Sequence, residues 1–304
     1  MLIALCSVHG SPGVTTLALA LAAHWPDVAR TRRLIAEIDP AGGDLAMRLQ
    51  LPTTPGLVSL AAAARRQPRP TVVWEHTQVL AGGAHVLVAP PGSGHTRAAL
   101  HILTGAEHQL LPAAAREPRV VVLADCGRVD PGTPAETIAR QADALILLTG
   151  TRAEDLAHTA ARLRELARWT PRPGLLLTGQ GYPTAEVERE LGVPAIGRLP
   201  NDPAAAATLT GRRLPSAHRR RTGGLDRHVG ALARTLASPT AAVRPPTTTV
   251  ASAADGTSAH HGVSGDATAH PSRADLTSRH IRPLSGDLPD GASPSPPAGT
   301  EPPT

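Results

Sequence analysis

Glycines and hydroxyl side chains follow the first apolar run of the chain in an order that suits phosphate binding. Residues 2–16 read LIALCSVHGSPGVTT, so an apolar run leads through a glycine-rich turn into a helical pattern. Such a turn presents backbone N–H groups and a helix N-terminus to an anion. Gly10 and Gly13 permit the tight turn and the close approach of the ligand. Thr15 stands where a hydroxyl would hold Mg²⁺, which predicts a phosphate and metal site here.

Two aspartates end later apolar runs and are candidate partners of that site. Asp39 lies in LIAEIDPAGGD (residues 34–44), and Asp125 lies in VVVLADCG (residues 120–127). Each aspartate thus stands at the end of a predicted strand. An aspartate at the end of a strand is also a common helix or turn cap. Taken singly, each motif is as consistent with a structural role as with a chemical one.

The chain contains no lysine, and its 30 basic residues are all arginines. Val14 therefore occupies the position before Thr15, where a phosphate loop usually carries a lysine. Loss of one such electrostatic contact costs about 3–4 kcal/mol of transition-state stabilisation, or a factor of about 10²–10³ in rate. Arg128 and Arg152, near the expected sheet edge, are the candidates to replace it in space. His9 either contacts a phosphate or caps the strand end, and we favour the cap slightly.

Short continuous apolar runs alternate with segments of helical spacing along the first three quarters of the chain. Runs of this kind are typical of strands buried on both faces. The predicted strands are residues 2–8, 34–38, 86–89, 120–124, 144–148, 174–177 and 195–199. The predicted helices include residues 15–24, 57–66, 96–111, 153–169, 185–191 and 223–237. The alternation predicts an α/β fold with a mostly parallel, doubly wound sheet, whose ligands bind at the carboxyl ends of its strands.

The composition changes near the end of the last helical pattern. Residues 1–237 hold the apolar residues from which a core can be built, whereas Pro, Ser, Thr and Ala dominate residues 238–304. A segment of that kind buries too little surface to offset its chain entropy. The sequence therefore predicts one domain over residues 1–237 and a disordered C-terminal tail over residues 238–304.

The order of these motifs resembles the ParA/MinD family of ATPases over roughly residues 1–237. That family has a variant P-loop, K-G-G-x-G-K-[ST]-[ST], and this chain reads HGSPGVTT over residues 9–16. The flanking glycines and both threonines match. His9 replaces the signature lysine, Val14 replaces the lysine on the phosphates, and Ser11 replaces a glycine. The resemblance implies a P-loop NTPase fold that binds ATP or ADP with Mg²⁺.

The resemblance also assigns roles to individual residues. Asp39 would orient the attacking water if the protein is active, and Glu37 stands where an aspartate is usual. Mg²⁺ would be held by Thr15, Asp39 and Asp125. The late segment IGRLPNDP (residues 196–203) is similar to the family's adenine-binding loop. The implied nucleotide contacts are Gly10, Ser11, Gly13, Thr15, Thr16, Pro200, Asn201 and Asp202.

Three functions remain open at this point. The first is a nucleotide-binding spatial or regulatory factor for division, partitioning, or secretion and pilus machinery, with weak or no ATPase activity. The second is an active partitioning-type ATPase that forms an ATP-bound homodimer and binds DNA non-specifically through arginines. The third is an adaptor that keeps the fold without the nucleotide. We favour them in that order, because the motifs are retained while both lysines are lost.

Other surfaces offer weaker indications of partners. Arginines cluster at residues 30–33, 65–69 and 219–221, which suits nucleic acid or an anionic membrane, although a solvated arginine-rich face is the favoured interpretation. The helix at residues 223–237 carries an apolar face that suits a membrane surface or, as we favour, closure of the core. The cysteines, Cys6 and Cys126, lie in apolar runs, which suits a reducing cytosol. We expect a cytoplasmic protein, with a peripheral membrane position as the alternative.

Overall fold

The fold is described from a computed structural model. The structure describes residues 1–10, 12–27, 29–66, 69–105, 109–209 and 224–238. The predicted site residue Ser11, the arginine cluster at residues 219–221 and the predicted tail from residue 239 onward lie outside the described residues.

The described residues form an eight-stranded sheet. Its strands are β1 (Leu2–Ser7), β2 (Arg32–Glu37), β3 (Gln78–Val79), β4 (His85–Leu87), β5 (Val120–Arg128), β6 (Ala144–Gly150), β7 (Pro173–Thr178) and β8 (Ala195–Leu199). They follow the order β3-β4-β2-β5-β1-β6-β7-β8, and the pairing is parallel except between β3 and β4. The predicted mostly parallel sheet is confirmed.

Helices connect the strands and cover the sheet. They are α1 (Val14–His24), α2 (Leu45–Leu49), α3 (Leu57–Ala64), α4 (Val72–Glu75), α5 (Ser93–Leu103), α6 (Leu110–Ala115), α7 (Pro134–Arg140), α8 (Ala153–Leu166), α9 (Thr184–Leu191), α10 (Pro203–Leu209) and α11 (Gly224–Ala237). The predicted helix over residues 96–111 is instead two helices, α5 and α6. α5 ends before Thr104 and Gly105, whose backbone N–H groups close its last turn.

Both faces of the central strand β1 are buried, which explains why its sequence is a continuous apolar run. Leu2, Ala4 and Cys6 join one core cluster, whereas Ile3 and Leu5 join the other. Because successive side chains of a strand point to opposite faces, the two clusters lie on the two sides of the sheet. A strand enclosed in this way has no polar face, and its ends are the only places where it can present ligand-binding groups.

Helix α11 closes one of these cores. Leu225, Val229, Leu232 and Leu236 are all buried in the same cluster as α1. The structure therefore accounts for the apolar face of this helix without a membrane. No helix among the described residues is long and apolar enough to cross a bilayer.

In the first arginine cluster, Arg33 is buried, whereas Arg30 and Arg32 are exposed. The Arg33 side chain is buried and donates to the carbonyl oxygens of Ala22 and Gly82, both at 2.7 Å. The Arg32 guanidinium lies 3.7 Å from the ring centre of Trp74. Arg33 thus links β2 to α1 and to the loop at Gly82, and of these three arginines only Arg33 is buried away from solvent.

Candidate functional site

Gly10 and Gly13 in the segment after β1 have the left-handed backbone angles that a tight phosphate-binding turn uses. Gly10 has φ 64° and Gly13 has φ 101°, and Gly13 is the N-cap of α1. Residues with a β-carbon rarely adopt such angles, so these two glycines allow the strand to turn directly into the helix. The turn and the first turn of α1 therefore present backbone N–H groups at the carboxyl end of the central strand.

A cleft of about 480 Å³ opens in front of this turn. It spans the carboxyl ends of β1, β2 and β5, which is where a doubly wound sheet binds ligands. Its lining includes Gly10, Gly13, Val14, Thr15, Thr16, Asp39, Asp44, Arg48, Arg97, Gly127, Arg128 and Asp130. The structure thus brings together most of the predicted phosphate and metal residues.

Val14 does not block this cleft. Its side chain is 5% exposed and packs in the core cluster beneath α1. The position that usually carries a lysine therefore contributes packing to the core and no charge to the cleft. The Val14 side chain therefore does not fill the cleft, but the turn offers a bound anion only backbone and hydroxyl groups.

Asp125 is buried behind Thr15 and is not among the residues that line the cleft. It is 2% exposed, and burial raises the pKa of its carboxyl to about 6. Hydrogen bonds from the Thr15 hydroxyl and the Gly127 N–H lower that pKa in part, and the nearby charge of Asp39 raises it. Thr15 and Asp125, which the family resemblance assigns to one Mg²⁺, are thus in contact, and a buried carboxylate beside a hydroxyl is a suitable cation ligand pair.

Asp39 lies directly over Gly127. Its Oδ1 accepts a hydrogen bond from the Ala41 N–H at 2.8 Å, and burial raises the pKa of its carboxyl. A β-carbon on Gly127 would lie 1.8 Å from Asp39 Oδ2, and Gly127 has φ 55°. Gly127 therefore makes the approach of Asp39 to the Asp125 strand possible. Sequence reasoning did not single out Gly127, although its place directly after an Asp-Cys strand end was the available signal.

Glu37 has a structural role. Its Oε1 accepts from the N–H groups of Asp44 and Leu45, and its Oε2 accepts from the N–H of Ala89. The side chain is 3% exposed, and burial raises its pKa to about 7 against the effect of these three bonds. Glu37 thus joins the loop after β2 to the end of β4, and its oxygens face backbone groups instead of the cleft.

A second pocket of about 370 Å³ adjoins the turn on the β7–β8 side. Pro200, Asn201 and Asp202 line it together with Gly13 and Thr16, as the predicted adenine loop required. Asp202 Oδ1 also accepts from the Ala205 N–H at 2.9 Å, so this residue caps the start of α10 as well.

Solved structures share this architecture at low sequence identity. The ParA family ATPase from Chlorobium tepidum TLS matches with a TM-score of 0.61 and 18% identity, over 77% of this chain and 98% of that one. The cell division ATPase MinD from Pyrococcus furiosus has a TM-score of 0.56 and 20% identity, over 77% and 96%. The chain has the fold of the ParA and MinD ATPases.

The same fold recurs in a structure that contains a nucleotide. The septum site-determining protein MinD from Pyrococcus horikoshii OT3, complexed with Mg-ADP, has a TM-score of 0.56 and 18% identity, over 78% of this chain and 96% of that one. No protein-family model and no curated protein matches the sequence. At such identities the likeness establishes the fold, and the chemistry has to be argued from the residues of this chain.

In this ParA/MinD fold, the residue at the place of the signature lysine has two neighbours on α8. His9 Nδ1 lies 3.0 Å from Asp155 Oδ1, and the His9 ring stacks on His158 with ring centres 4.2 Å apart. These contacts differ from both interpretations offered by the sequence, because His9 is joined to α8. They tie the start of the turn to the helix that follows β6.

Cations reach the cleft from outside the turn. Arg128, one of the two predicted replacements, lines the cleft, whereas Arg152 lines a separate pocket beside His9 and Asp155. Arg48 of α2 and Arg97 of α5 also line the cleft. Sequence reasoning missed these two, because their helices meet the turn only through the tertiary fold.

The oxygen ligands in the cleft suit Mg²⁺ as part of a larger set. Among the described residues, no group of three or more His, Cys, Asp and Glu side chains could hold a metal ion by itself. Thr15, Asp39 and Asp125 offer one hydroxyl and two carboxylates at one end of the sheet. Because Mg²⁺ usually keeps several waters and binds through one or two carboxylates plus substrate phosphates, this partial set fits a magnesium–nucleotide complex.

Proposed function

We propose that this protein is a divergent ParA/MinD-like nucleotide-binding protein that binds ATP or ADP with Mg²⁺ and has weak or no ATPase activity. We further propose that it acts as a spatial or regulatory factor for division, partitioning, or secretion and pilus machinery. One observation carries the proposal: the glycine-shaped turn opens onto a cleft of about 480 Å³ although its lysine position holds a buried valine.

Binding is supported by groups that do not depend on lysine. The backbone of Gly10 and Gly13 and the start of α1 supply N–H donors for phosphates. Thr15, Asp39 and Asp125 would hold Mg²⁺, which when bound neutralises charge on the phosphates. Thr16, Pro200, Asn201 and Asp202 line the adjoining pocket, which is open to a base.

Weak hydrolysis is supported by what the turn has lost. Phosphoryl transfer depends mainly on positioning and on stabilising the charge that develops on the transferring group. The turn residues from His9 to Thr16 include no lysine or arginine. Loss of one such contact costs a factor of about 10²–10³ in rate, which favours a protein that holds nucleotide over one that turns it over quickly.

The partner proposal follows from the neighbouring structures. MinD of Aquifex aeolicus, 14% identical with a TM-score of 0.57, was solved as a MinC:MinD cell division protein complex. We propose by analogy that the nucleotide state of this chain controls a homodimer and its contact with a protein partner of division, partitioning or secretion. We place it in the cytoplasm, with a peripheral membrane position as the alternative.

Calorimetric titration of the full chain with ATP and ADP, with and without Mg²⁺, tests the binding proposal. We expect saturable binding at a single site, a higher melting temperature with ligand, and phosphate release much slower than in ordinary ATPases of this fold. Thr15→Val removes only the hydroxyl and should weaken the Mg²⁺-dependent part of binding. Thr235→Val on α11 is the matched control and should leave binding unchanged. Absence of heat and of thermal stabilisation at millimolar nucleotide would overturn the proposal and favour the adaptor.

A second candidate function is an active partitioning-type ATPase. The contact between Thr15 and Asp125, with Asp39 packed over Gly127, favours it because these groups meet at one strand end. In that case Asp39→Ala should abolish phosphate release while nucleotide binding persists. If the native protein releases no phosphate, this candidate is excluded.

A further inference from the structure

The two sides of the phosphate cleft differ in charge. We call Gly10, Gly13, Val14, Thr15 and Thr16 the P-loop wall, and Asp39, Asp44, Arg48, Arg97, Arg128 and Asp130 the charged wall. The P-loop wall carries no charged side chain. The arginines of the charged wall are therefore the cationic side chains that line this cleft in the described residues.

Two of these three arginines already have carboxylate partners. Arg48 Nη2 lies 3.0 Å from Asp44 Oδ2, and Arg128 Nη2 lies 3.2 Å from Asp130 Oδ2. For Arg97, no carboxylate of the described ranges lies within ion-pair distance. Its Nε donates to the carbonyl oxygen of Pro40 at 3.3 Å, which anchors the guanidinium beside the loop that carries Asp39. Arg97 is thus the cleft cation whose charge is not already paired with a described carboxylate.

The strand order fixes the direction in which a nucleotide would reach Arg97. The base pocket lies at the ends of β7 and β8, the P-loop wall follows β1 in the centre, and α5 follows β4 on the other side of the sheet. A nucleotide with its base in that pocket and its phosphates along the turn would point its last phosphate towards the charged wall. The diphosphate portion would stay on the P-loop wall.

We propose that Arg97 binds the terminal phosphate of a nucleoside triphosphate and makes the site prefer ATP to ADP. This inference rests on the proposed nucleotide-binding function. With Nε held by Pro40, the two terminal nitrogens of Arg97 remain able to donate to phosphate oxygens as a planar pair. The cation that the P-loop has lost at Val14 is replaced from a different element, α5.

The anchor on Pro40 gives this contact a second consequence. Pro40 directly follows Asp39, so a phosphate held by Arg97 also bears on the loop that positions Asp39. A triphosphate contacts this loop through Arg97, and a diphosphate does not reach it. The loop between β2 and α2 therefore reports which nucleotide is bound, which is the property that a nucleotide-controlled regulator needs.

Calorimetric titration of the full chain with Mg²⁺–ATP and Mg²⁺–ADP separates the possibilities. Arg97→Ala and Arg97→Gln should each weaken ATP binding about tenfold, the size of one charge-assisted contact, and change ADP binding less than about twofold. Arg97→Lys keeps a charge without the planar pair and should recover part of the loss. Arg116→Ala, an exposed arginine at the opposite ends of the strands, is the control for net charge and should leave both affinities unchanged.

Each other outcome has a distinct meaning. If the native protein binds ATP and ADP, and both Arg97 variants bind each nucleotide with the native affinity, Arg97 is not the replacement cation, while the proposed function stands. If the variants weaken ATP and ADP by the same factor, the assignment to the terminal phosphate is wrong. If the native protein binds neither nucleotide, the proposed function fails and this inference fails with it. Melting curves show whether each variant is folded, and the two neutral variants must agree.

Discussion

The two walls of the cleft offer different groups to a phosphate: the P-loop wall offers backbone amides, and the charged wall offers arginine side chains. The P-loop wall keeps its backbone shape through glycines at positive φ but holds a buried valine where a lysine is usual. The charged wall has no such inherited loop, yet it gathers three arginines from α2, α5 and β5. Under the proposed function, backbone amides of the P-loop wall bind the phosphates, and side chains of the charged wall supply the positive charge.

This separation suggests how the protein differs from an efficient ATPase. Amides on a rigid turn bind the phosphates of the ground state, whereas a cation already positioned where charge develops in the transition state lowers the barrier to transfer. Under our proposal the charged wall binds a phosphate from the far side, and its arginines are held outside the turn by Asp44, Asp130 and the Pro40 carbonyl. The comparison thus predicts a site better suited to nucleotide-dependent binding than to turnover, and three experiments test it.

Returning the lysine should give the largest change. Val14→Lys places an ammonium at the start of α1. The Val14 side chain packs in the core but the residue borders the cleft, so a longer side chain can extend past the core into the cleft. We expect phosphate release to rise by a factor of about 10²–10³, the size of one transition-state electrostatic contact. Single-turnover release of inorganic phosphate measures it.

Val14→Met is the matched control for the lysine variant. It has a similar length, carries no charge and should leave the rate at the native level. If Val14→Lys binds ATP more tightly but hydrolyses it no faster, the missing lysine does not limit hydrolysis. The charged wall would then lack groups that catalysis requires.

Disturbing the charged wall through Gly127 should have the next largest effect. Gly127→Ala adds a β-carbon at 1.8 Å from Asp39 Oδ2 on a residue with φ 55°. We expect a loss of about 2 kcal/mol in the free energy of unfolding from strain at this position. Displacement of Asp39 should also weaken Mg²⁺–nucleotide binding by at least about tenfold, by loss of one of the carboxylates that hold the metal. Chemical denaturation and calorimetry measure the two effects.

Gly94→Ala is the control for this glycine. A β-carbon at Gly94 meets nothing within 4 Å, and the residue lies in the first turn of α5 near the same cleft. Stability and binding should be unchanged or slightly improved, since alanine is the better helix residue. An equally stable Gly127→Ala protein with native affinity would show that Asp39 is free to move aside, contrary to the packing described above.

The positions of most strands along the chain were predictable from sequence, because burial on both faces produces continuous apolar runs. The short strand β3 was missed, since its two residues, Gln78 and Val79, pair antiparallel with β4 at the sheet edge and form no apolar run. The overlong helix at residues 96–111 was wrong for a related reason. Spacing alone continued through Thr104 and Gly105, where the chain leaves α5.

Site residues were predictable only where they belong to a recognisable local sequence motif. Thr15, Asp39 and Asp125 follow strand ends in parallel order, so topology alone brings them together. Arg97 and the role of Glu37 depend on which elements pack against each other at a distance in sequence. Arg97 contacts a carbonyl of the β2–α2 loop, and Glu37 accepts from an N–H just after β4. Neither contact can be recognised from a local sequence pattern.

The smallest expected effect is a pH dependence of Mg²⁺–nucleotide affinity. It would distinguish binding through the Asp125 carboxylate, which titrates, from binding through backbone amides, which do not. Asp125 in the ligand-free protein has a pKa raised to about 6 by burial, and Mg²⁺ requires the ionised carboxylate. Above pH 7 the group is already ionised, so Mg²⁺–nucleotide affinity should be flat. Below the pKa, protonation competes with the metal, and each further pH unit should weaken binding by about tenfold.

Asp125→Asn distinguishes this titration from others in the same range. The nucleotide phosphate also titrates with a pKa of about 6, and the pKa of Glu37 is about 7, but both remain in the variant. The variant should bind Mg²⁺–ADP more weakly at pH 8 and lose the additional fall between pH 7 and pH 5, so that its affinity approaches that of the native protein at low pH. Calorimetric titrations of both proteins at these pH values test this. If the native and variant profiles run parallel, Asp125 does not contact the metal, and Thr15 and Asp39 would be the remaining metal ligands proposed here.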